Sequence, residues 1–226
     1  MRRPFIFINI AASVDGKISN EQRRQIRISS NEDLKRVDKL RAESDAIMVG
    51  IGTVLSDDPR LTVKSEKLRL ERVERGLSEN PIRVIVDSKC RIPLSAKVLN
   101  DEAKTIIAVS RQADRNKVKV LMERGVEVLE FGEKLVDLRG LMNYLYNIGV
   151  RKVMVEGGAT LNYSLLKEKL VDEIYVYYGS IIIGGQKSPT IVDGSSFDPP
   201  INLELISVEK LGNGVLTKWK VKYYYL

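Results

Sequence analysis

The stretch 151-RKVMVEGGATLNYSLLKEKL-170 runs an apolar segment into an acid and a pair of glycines, and a helical pattern follows at once. Residues 152–157 read as a strand and 160–169 as a helix, so the glycines fall at a strand-to-helix bend. A bare backbone there allows close approach of a ligand. The helix start beyond it offers free N–H groups and a favourable dipole to phosphate oxygens. Units of this kind, repeated along a chain, build an α/β fold around a mainly parallel sheet.

The rest of the chain repeats the alternation. Segments 5-FIFINIA-11, 45-DAIMVG-50, 82-IRVIVDS-88, 105-TIIAVS-110 and 126-VEVLEF-131 read as strands. The third is nearly continuously apolar, as in a parallel sheet covered on both faces. Segment 29-SSNEDLKRVDKLRAES-44 reads as a helix, with Ser29 and Glu32 as a capping box and Leu34, Val37 and Leu40 as the apolar stripe. Segment 51-IGTVLSDDP-59 predicts a single helical turn ended by Pro59. Residues 64–80 suit a loop or surface helix, and helices are expected near 113–124 and 136–147. The last third is strand-rich: 173-EIYVYYGSIIIGG-185, 203-LELISVEKL-211 and 214-GVLTKWKVKYYYL-226. The final two, joined through Gly212, Asn213 and Gly214, predict an antiparallel hairpin. The expected whole is one α/β domain over residues 1–226, its sheet mainly parallel and flanked by helices.

Composition removes several chemistries. The chain has no histidine and one cysteine, Cys90. Internal disulfides, zinc sites of the Cys/His type and Ser–His or Cys–His nucleophiles are therefore excluded. Cys90 lies between Lys89 and Arg91, which would favour a thiolate; a plain structural thiol is the simpler reading, and it suits a cytoplasmic protein. No apolar run reaches the roughly 20 residues of a membrane span. The N-terminal apolar run meets Asp15 and Lys17 without an A-x-A-like cleavage site, so it reads as a first strand rather than a signal peptide.

The net charge of +7 invites a nucleic-acid reading, but 37 basic residues are interleaved with 30 acids. In 64-KSEKLRLERVERGLSE-79 this mixture describes a solvated, ion-paired surface. No aromatic stacking platform accompanies a basic block, which argues against nucleic acid. The Lys/Glu-rich surface agrees with a thermophilic source.

Sheets of this type bind ligands beyond the carboxyl ends of their strands. Small, glycine and hydroxyl residues gather there, in 9-NIAASVDGK-17, 49-VGIGTVLSDD-58, 86-VDSKCR-91, at Ser110, at Gly132 and in 155-VEGGATL-161. A helix start follows both the Gly50–Gly52 and the Gly157–Gly158 bends. A dinucleotide fingerprint of the Rossmann kind is absent, because 50-GIGTVL-55 lacks the third glycine and no ribose-holding acid follows about 20 residues on. Two such bends in one sheet still point to a nucleotide.

The series 13-SVDGK-17, 28-ISS-30, 41-RAESDAIMVGIGTVLSDDPRLTV-63, 81-PIRVIVDS-88 and 155-VEGGATL-161 resembles the reductases of riboflavin biosynthesis. The likeness extends over about residues 5–185, in order, and is nearest to the stand-alone archaeal form; a zinc deaminase half would need ligands this chain lacks. The family implies a dihydrofolate-reductase-like fold, a homodimer, NADPH (also NADH) as cofactor, and a phosphorylated ribosylamino-pyrimidine as substrate. The implied reaction delivers hydride to C1′ of the ring-opened imine and leaves a ribitylamino group. By the same resemblance, Ala11, Thr53, Asp57, Ser88, Gly132, Gly157, Gly158, Ala159, Thr160 and Leu161 would line the cofactor. Asn9, Ser13, Asp15, Lys17, Ser29, Arg41, Leu61, Lys64 and Glu156 would meet the substrate. Lys64 stands where the bacterial pattern has a phosphate-binding arginine, and a lysine binds phosphate as a point charge.

Without histidine, proton handling falls to Glu156, Asp33 or Lys17. Each has a plainer reading. Asp15 before Gly16 is a turn-former, Lys17 a surface lysine, Asp33 a first-turn acid on the helix dipole, and Arg41 an ion-paired residue at a helix end. Glu156 closes an apolar strand and needs a partner there. Arg111 or Lys89 is placed to meet a 2′-phosphate. Segment 179-GSIIIGGQKSPTIVDG-194 resembles a loop that closes over substrate, and the final YYYL with the strand-rich end offers a dimer edge. Alternatives at this point are a reductase of the already deaminated pyrimidine, a dihydrofolate reductase, and a non-catalytic NADP(H)-binding sensor.

Overall fold

The structure, a computed structural model, describes residues 2–223. Nine strands and six helices follow one another as β1 (Phe5–Ser13), α1 (Asn31–Ala42), β2 (Ala46–Gly50), α2 (Ile51–Asp57), α3 (Glu66–Glu74), β3 (Ile82–Val86), β4 (Thr105–Val109), α4 (Arg115–Glu123) and β5 (Glu127–Glu130), then α5 (Leu138–Asn147), β6 (Lys152–Val155), α6 (Ala159–Lys167), β7 (Glu173–Gly179), β8 (Asn202–Leu211) and β9 (Gly214–Lys222). They form two compact units, one of Asp38–Met154 with the residues up to Pro4, the other of Phe5–Val37 with Val155 onward.

In the first unit the strand order is β5-β4-β3-β2-β6. Neighbours β2–β3, β3–β4 and β4–β5 are parallel, with Val84 opposite Met48 on one side and Ile106 on the other. Parallel neighbours need crossovers: α2 and α3 supply the one from β2 to β3 and α4 the one from β4 to β5, while an irregular stretch with one 3-10 turn at Lys97–Leu99 connects β3 to β4. Ile47, Val49, Ile85, Ile107, Val109 and Leu121 pack into one core and are at most 1% exposed. Burying each such side chain is worth roughly 1.5–3 kcal/mol. Asp45 tethers the start of β6, its Oδ2 accepting the N–H groups of Arg151 and Lys152 at 2.8 and 2.9 Å.

In the second unit β1 runs parallel to β7, with Ile8 opposite Ile174, while β7–β9 and β8–β9 are antiparallel. The expected C-terminal hairpin is present over β8 and β9, turned at Gly212 with φ 56°. The fold is thus α/β and mainly parallel, with antiparallel C-terminal strands. Residues 224–226, which carry most of the YYYL segment, lie outside the described residues.

Several local expectations need correction. The capping serine of α1 is Ser30, whose Oγ accepts the Asp33 N–H at 3.2 Å, not Ser29. The expected apolar stripe is only partly covered: Val37 and Leu40 are half-buried and Leu34 is exposed, whereas Asp33, Asp38 and Ala42 are buried. Segment 51–59 makes two turns, α2, ended by Asp58 in the left-handed region at φ 42° one residue before Pro59. The 64–80 stretch holds α3, and its Arg72 is not solvated. Arg72 is buried and donates to the carbonyls of Ala42 and Ser44, both at 2.8 Å, closing the end of α1. Finally, β7 stops at Gly179 and 180–185 is not strand. The Ile181 N–H turns back to the Gly179 carbonyl at 2.8 Å, a three-residue bend that leaves the ladder.

Candidate functional site

In the second unit the loop after β1 is built on Ser13. Its hydroxyl accepts the Lys17 N–H at 2.9 Å, and its N–H donates to the Lys17 carbonyl at 2.8 Å. The Asp15 carboxylate accepts the N–H groups of Ile183 and Gly184 at 3.1 and 2.8 Å. The Ser13 hydroxyl and these amides hold the Asp15 pKa at about 2. Lys17 donates through Nζ to the Ser188 carbonyl at 3.3 Å and pairs with Thr190 in an antiparallel bridge. Asp193 secures Thr190, accepting its hydroxyl at 2.6 Å. The segment 179–194 is therefore fastened to the D-G-K loop at several points, the Val14 N–H also donating to the Ile181 carbonyl at 3.0 Å.

The Gly157–Gly158 bend follows β6. Both residues have positive φ, 133° and 96°, which residues with a side chain rarely adopt. Gly158 is the N-cap of α6 and brings no side-chain cap. Elsewhere the helix starts are closed: Ser65 caps α3, Asp114 caps α4 and Asp137 caps α5 through side-chain oxygens. Helix α2, begun by Gly50, is the other without a side-chain cap. The two helices that follow the glycine bends are thus the ones whose starts are left to backbone N–H groups. At the first bend, however, Gly50 has an ordinary φ of −77°. Ala159 and Leu161 are buried and Thr160 is exposed; Glu156 is half-buried just past β6.

On β1, Ala11 is half-buried, and Asn9 is 6% exposed with its Oδ1 lacking any hydrogen-bond donor. A buried amide oxygen without a donor carries an uncompensated desolvation cost. Asp33 is the opposite case. One oxygen accepts the Ser29 hydroxyl at 2.6 Å, and the other meets Arg36 at 2.7 and 2.8 Å, so both are engaged.

In the first unit Thr53 and Asp57 are half-buried on α2, and burial pushes the Asp57 pKa up. Leu61 is buried at φ 53°, and Arg41 donates to the Thr62 carbonyl at 2.9 Å. Lys64 is exposed. The Ser88 hydroxyl accepts the Val136 N–H at 3.1 Å, which leaves its own proton to donate. Gly132, at φ 77°, accepts the Arg111 N–H at 3.0 Å through its carbonyl. Arg111 itself is claimed by two acids, Glu130 at 3.4 Å and Glu133 at 2.6 Å. Cys90 is buried at 1%, and desolvation, then Asp87, lifts its pKa to about 11. It is an inert thiol, and its basic sequence neighbours do not activate it.

The sequence left several anchors unseen: Asp38, Asn80 and Arg36. All are polar residues in polar surroundings, so no periodicity marks them. The double pattern Ser29–Glu32 and Ser30–Asp33 did hold the signal for Asp33 and the cap.

Comparison with known proteins gives this geometry a context. A 2,5-diamino-6-ribosylamino-4(3H)-pyrimidinone 5′-phosphate reductase of Archaeoglobus fulgidus is 57% identical over 212 residues, 94% of this chain and 95% of that protein. Its namesake in Methanothermobacter thermautotrophicus is 45% identical over 97% of this chain and 99% of its own length. Among solved structures, one form of Acinetobacter baumannii RibD superposes with a TM-score of 0.80 at 25% identity, covering 98% of this chain and 59% of that one. Residues 4–217 match the RibD C-terminal domain, so the glycine bend, the D-G-K loop and the strap through Leu61 and Lys64 belong to a member of that family.

Proposed function

We propose that this protein is the NADPH-dependent oxidoreductase that reduces 2,5-diamino-6-ribosylamino-4(3H)-pyrimidinone 5′-phosphate to its ribitylamino product in riboflavin biosynthesis. We assign both units to one reductase domain, acting in the cytoplasm, and NADH as a cofactor it also accepts. The names of relatives 57% and 45% identical over nearly the whole chain support the substrate. The observation that carries the cofactor is the pair of helices, α2 and α6, that follow glycine bends and have no side-chain cap. Free N–H groups at a helix start suit a pyrophosphate.

The residues present therefore fit NADPH. By the family resemblance, Ala11, Thr53, Asp57, Ser88, Gly132 and the turn from Gly157 to Leu161 would hold it. When bound, the cofactor supplies hydride to the substrate. The chain's own residues do the rest. Opening the ribosyl ring breaks the C1′–O4′ bond, forms a C1′=N iminium bond whose nitrogen keeps its hydrogen, and takes a proton from the chain onto O4′. Hydride addition then reduces C1′ and leaves the nitrogen as an amine. Asp33 is committed to Ser29 and Arg36, so we assign the proton at O4′ to Glu156 and Lys17. Lys17 is oriented by the Ser188 carbonyl. Asn9 Oδ1, buried without a donor, would accept from the amino groups of the diaminopyrimidine. Lys64 would meet the 5′-phosphate, with Ser13, Asp15, Ser29, Arg41 and Leu61 shaping the substrate's surroundings.

The test is one assay. Protein is mixed with NADPH and either the diamino substrate or its deaminated counterpart, and loss of cofactor absorbance is followed. Oxidation with the diamino compound is expected. Oxidation with neither compound would refute the reductase reading, and a Glu156→Gln variant at full rate would remove Glu156 from proton handling.

A further inference from the structure

Residues 58–65, which carry Leu61 and Lys64, form neither helix nor strand. No ladder holds them in place; side chains do. Arg41 donates to the Thr62 carbonyl at 2.9 Å, and Asn80 Oδ1 accepts the Val63 N–H at 2.8 Å. Arg69 Nη1 donates to the carbonyls of Val63 and Lys64, both at 3.0 Å. Two further backbone donors go to one residue on α1. Asp38 Oδ1 accepts the Lys64 N–H at 2.7 Å, and its Oδ2 accepts the Ser65 N–H at 2.8 Å.

Asp38 is 9% exposed, in the second half of a twelve-residue helix. Its two bonds are short and charge-assisted, and together they fix both the position and the tilt of the peptide between Lys64 and Ser65. They also occupy the amides that would otherwise attract an anion, so the positive charge the strap presents is the Lys64 side chain. Lys64 is exposed and meets no carboxylate among the described residues. A lysine is a point charge on a flexible stem, so its aim depends on where its Cα is held.

We propose that Asp38 is the positioning residue for phosphate recognition: by binding two consecutive amides it aims Lys64 at the substrate's phosphomonoester. The inference rests on the assignment of Lys64 to the phosphate made above. It places the determinant of phosphate affinity on a buried carboxylate of the same sign as the ligand, acting through the backbone.

The experiment compares Asp38→Asn with wild type on three readouts. With the phosphorylated substrate, KM should rise by about tenfold, the loss of one good charged bond, while kcat and the KM for NADPH stay within about threefold. With the dephosphorylated substrate, KM should barely move. In a Lys64→Ala background the Asp38 effect should vanish, because residues that act as a unit are not additive. Equal rises in KM for both substrates, or a persistent effect without Lys64, would reduce Asp38 to a structural residue and overturn the proposal. If Asp38→Asn does not fold, Asp38→Glu carries the same comparison, since it keeps the charge and displaces it by one methylene. Titration with ribose 5-phosphate separates this proposal from the reductase reading. Weaker binding by the variant supports the proposal even if no NADPH is oxidised, and equal binding, or none by wild type, overturns it.

Discussion

Asp15 Oδ2 accepts the backbone N–H of Gly184 at 2.8 Å, joining two loops 169 residues apart in sequence. The second oxygen takes the neighbouring amide of Ile183 at 3.1 Å. The aspartate of the D-G-K motif therefore acts on protein backbone, whatever else it meets. It is one of the fastenings of the 179–194 segment.

The hydrogen bonds from the Ser13 hydroxyl and the two amides hold the Asp15 pKa at about 2, below the ordinary carboxylate range. A depressed acid contributes its stabilisation fully above its unfolded pKa and loses it as pH falls through the folded one. The fastening should therefore weaken between about pH 4 and pH 2. The Ile183 and Gly184 amide resonances are expected to titrate together with an inflection near 2, and in Asp15→Asn that inflection should disappear. A wild-type inflection near 4 would mean that the carboxylate is not bound as described.

Two glycines near the assigned cofactor residues should respond to alanine in opposite ways. Gly52 lies in α2 with no atom within 4 Å of where a Cβ would stand. Gly52→Ala should raise stability by roughly 0.5–1 kcal/mol, the usual gain for a helix interior. Gly132 has φ 77°, and its Cβ would fall 2.5 Å from the Leu135 carbonyl oxygen. Gly132→Ala should cost more than about 1 kcal/mol in strain alone. Denaturant melts of the two variants decide this; equal changes would contradict it. If Gly52 also borders the cofactor, its alanine variant should pair higher stability with a higher KM for NADPH.

The Gly157–Gly158 bend and the C-terminal hairpin were legible in the sequence because each is a local signal, a glycine pair against an apolar run. The residues that hold the site were not. Asp38 and Asp33 look like surface acids on a charged helix, and helical periodicity looks for apolar stripes. The α1 cap slipped by one residue because Ser29–Glu32 and Ser30–Asp33 satisfy the same spacing, and only burial of Asp33 decides between them. The apolar run after Gly179 read as strand, although the chain leaves the ladder there. A Cβ on Gly179 would lie 2.5 Å from the Ile28 carbonyl oxygen, a long-range approach that no local pattern encodes.

Asp87, just beyond β3, is fully buried, and its pKa is raised by desolvation against the bond its Oδ2 accepts from the Ile92 N–H at 2.8 Å. A raised acid gives stability that is complete below its unfolded pKa and is lost as pH rises through the folded value. Asp87→Asn keeps an acceptor for Ile92 without the charge. Its stability relative to wild type should therefore increase as pH climbs from about 4 toward neutrality. Urea melts of both proteins at three pH values in that range test the sign. A difference that stays constant, or shrinks, would show that burial does not penalise this carboxylate.

Strand β8 presents an unusually apolar edge. Leu205, Ile206 and Val208 are 50%, 48% and 58% exposed, and the strand is broken by a bulge between Leu205 and Ser207. Long apolar edges are normally blunted by charge or covered. Glu204 lies near one end of the strand and Glu209 and Lys210 near the other, and the exposed apolar side chains lie between them. A second copy of the chain is the occupant we expect, in line with the homodimer that the family resemblance implies. Val208→Lys, on the surface of the single chain, should leave the fold intact, since exposed substitutions usually move stability by under about 0.5 kcal/mol. It should nevertheless shift the mass by light scattering from two chains toward one. A dimer that survives both Val208→Lys and Leu205→Lys would place the contact on another face.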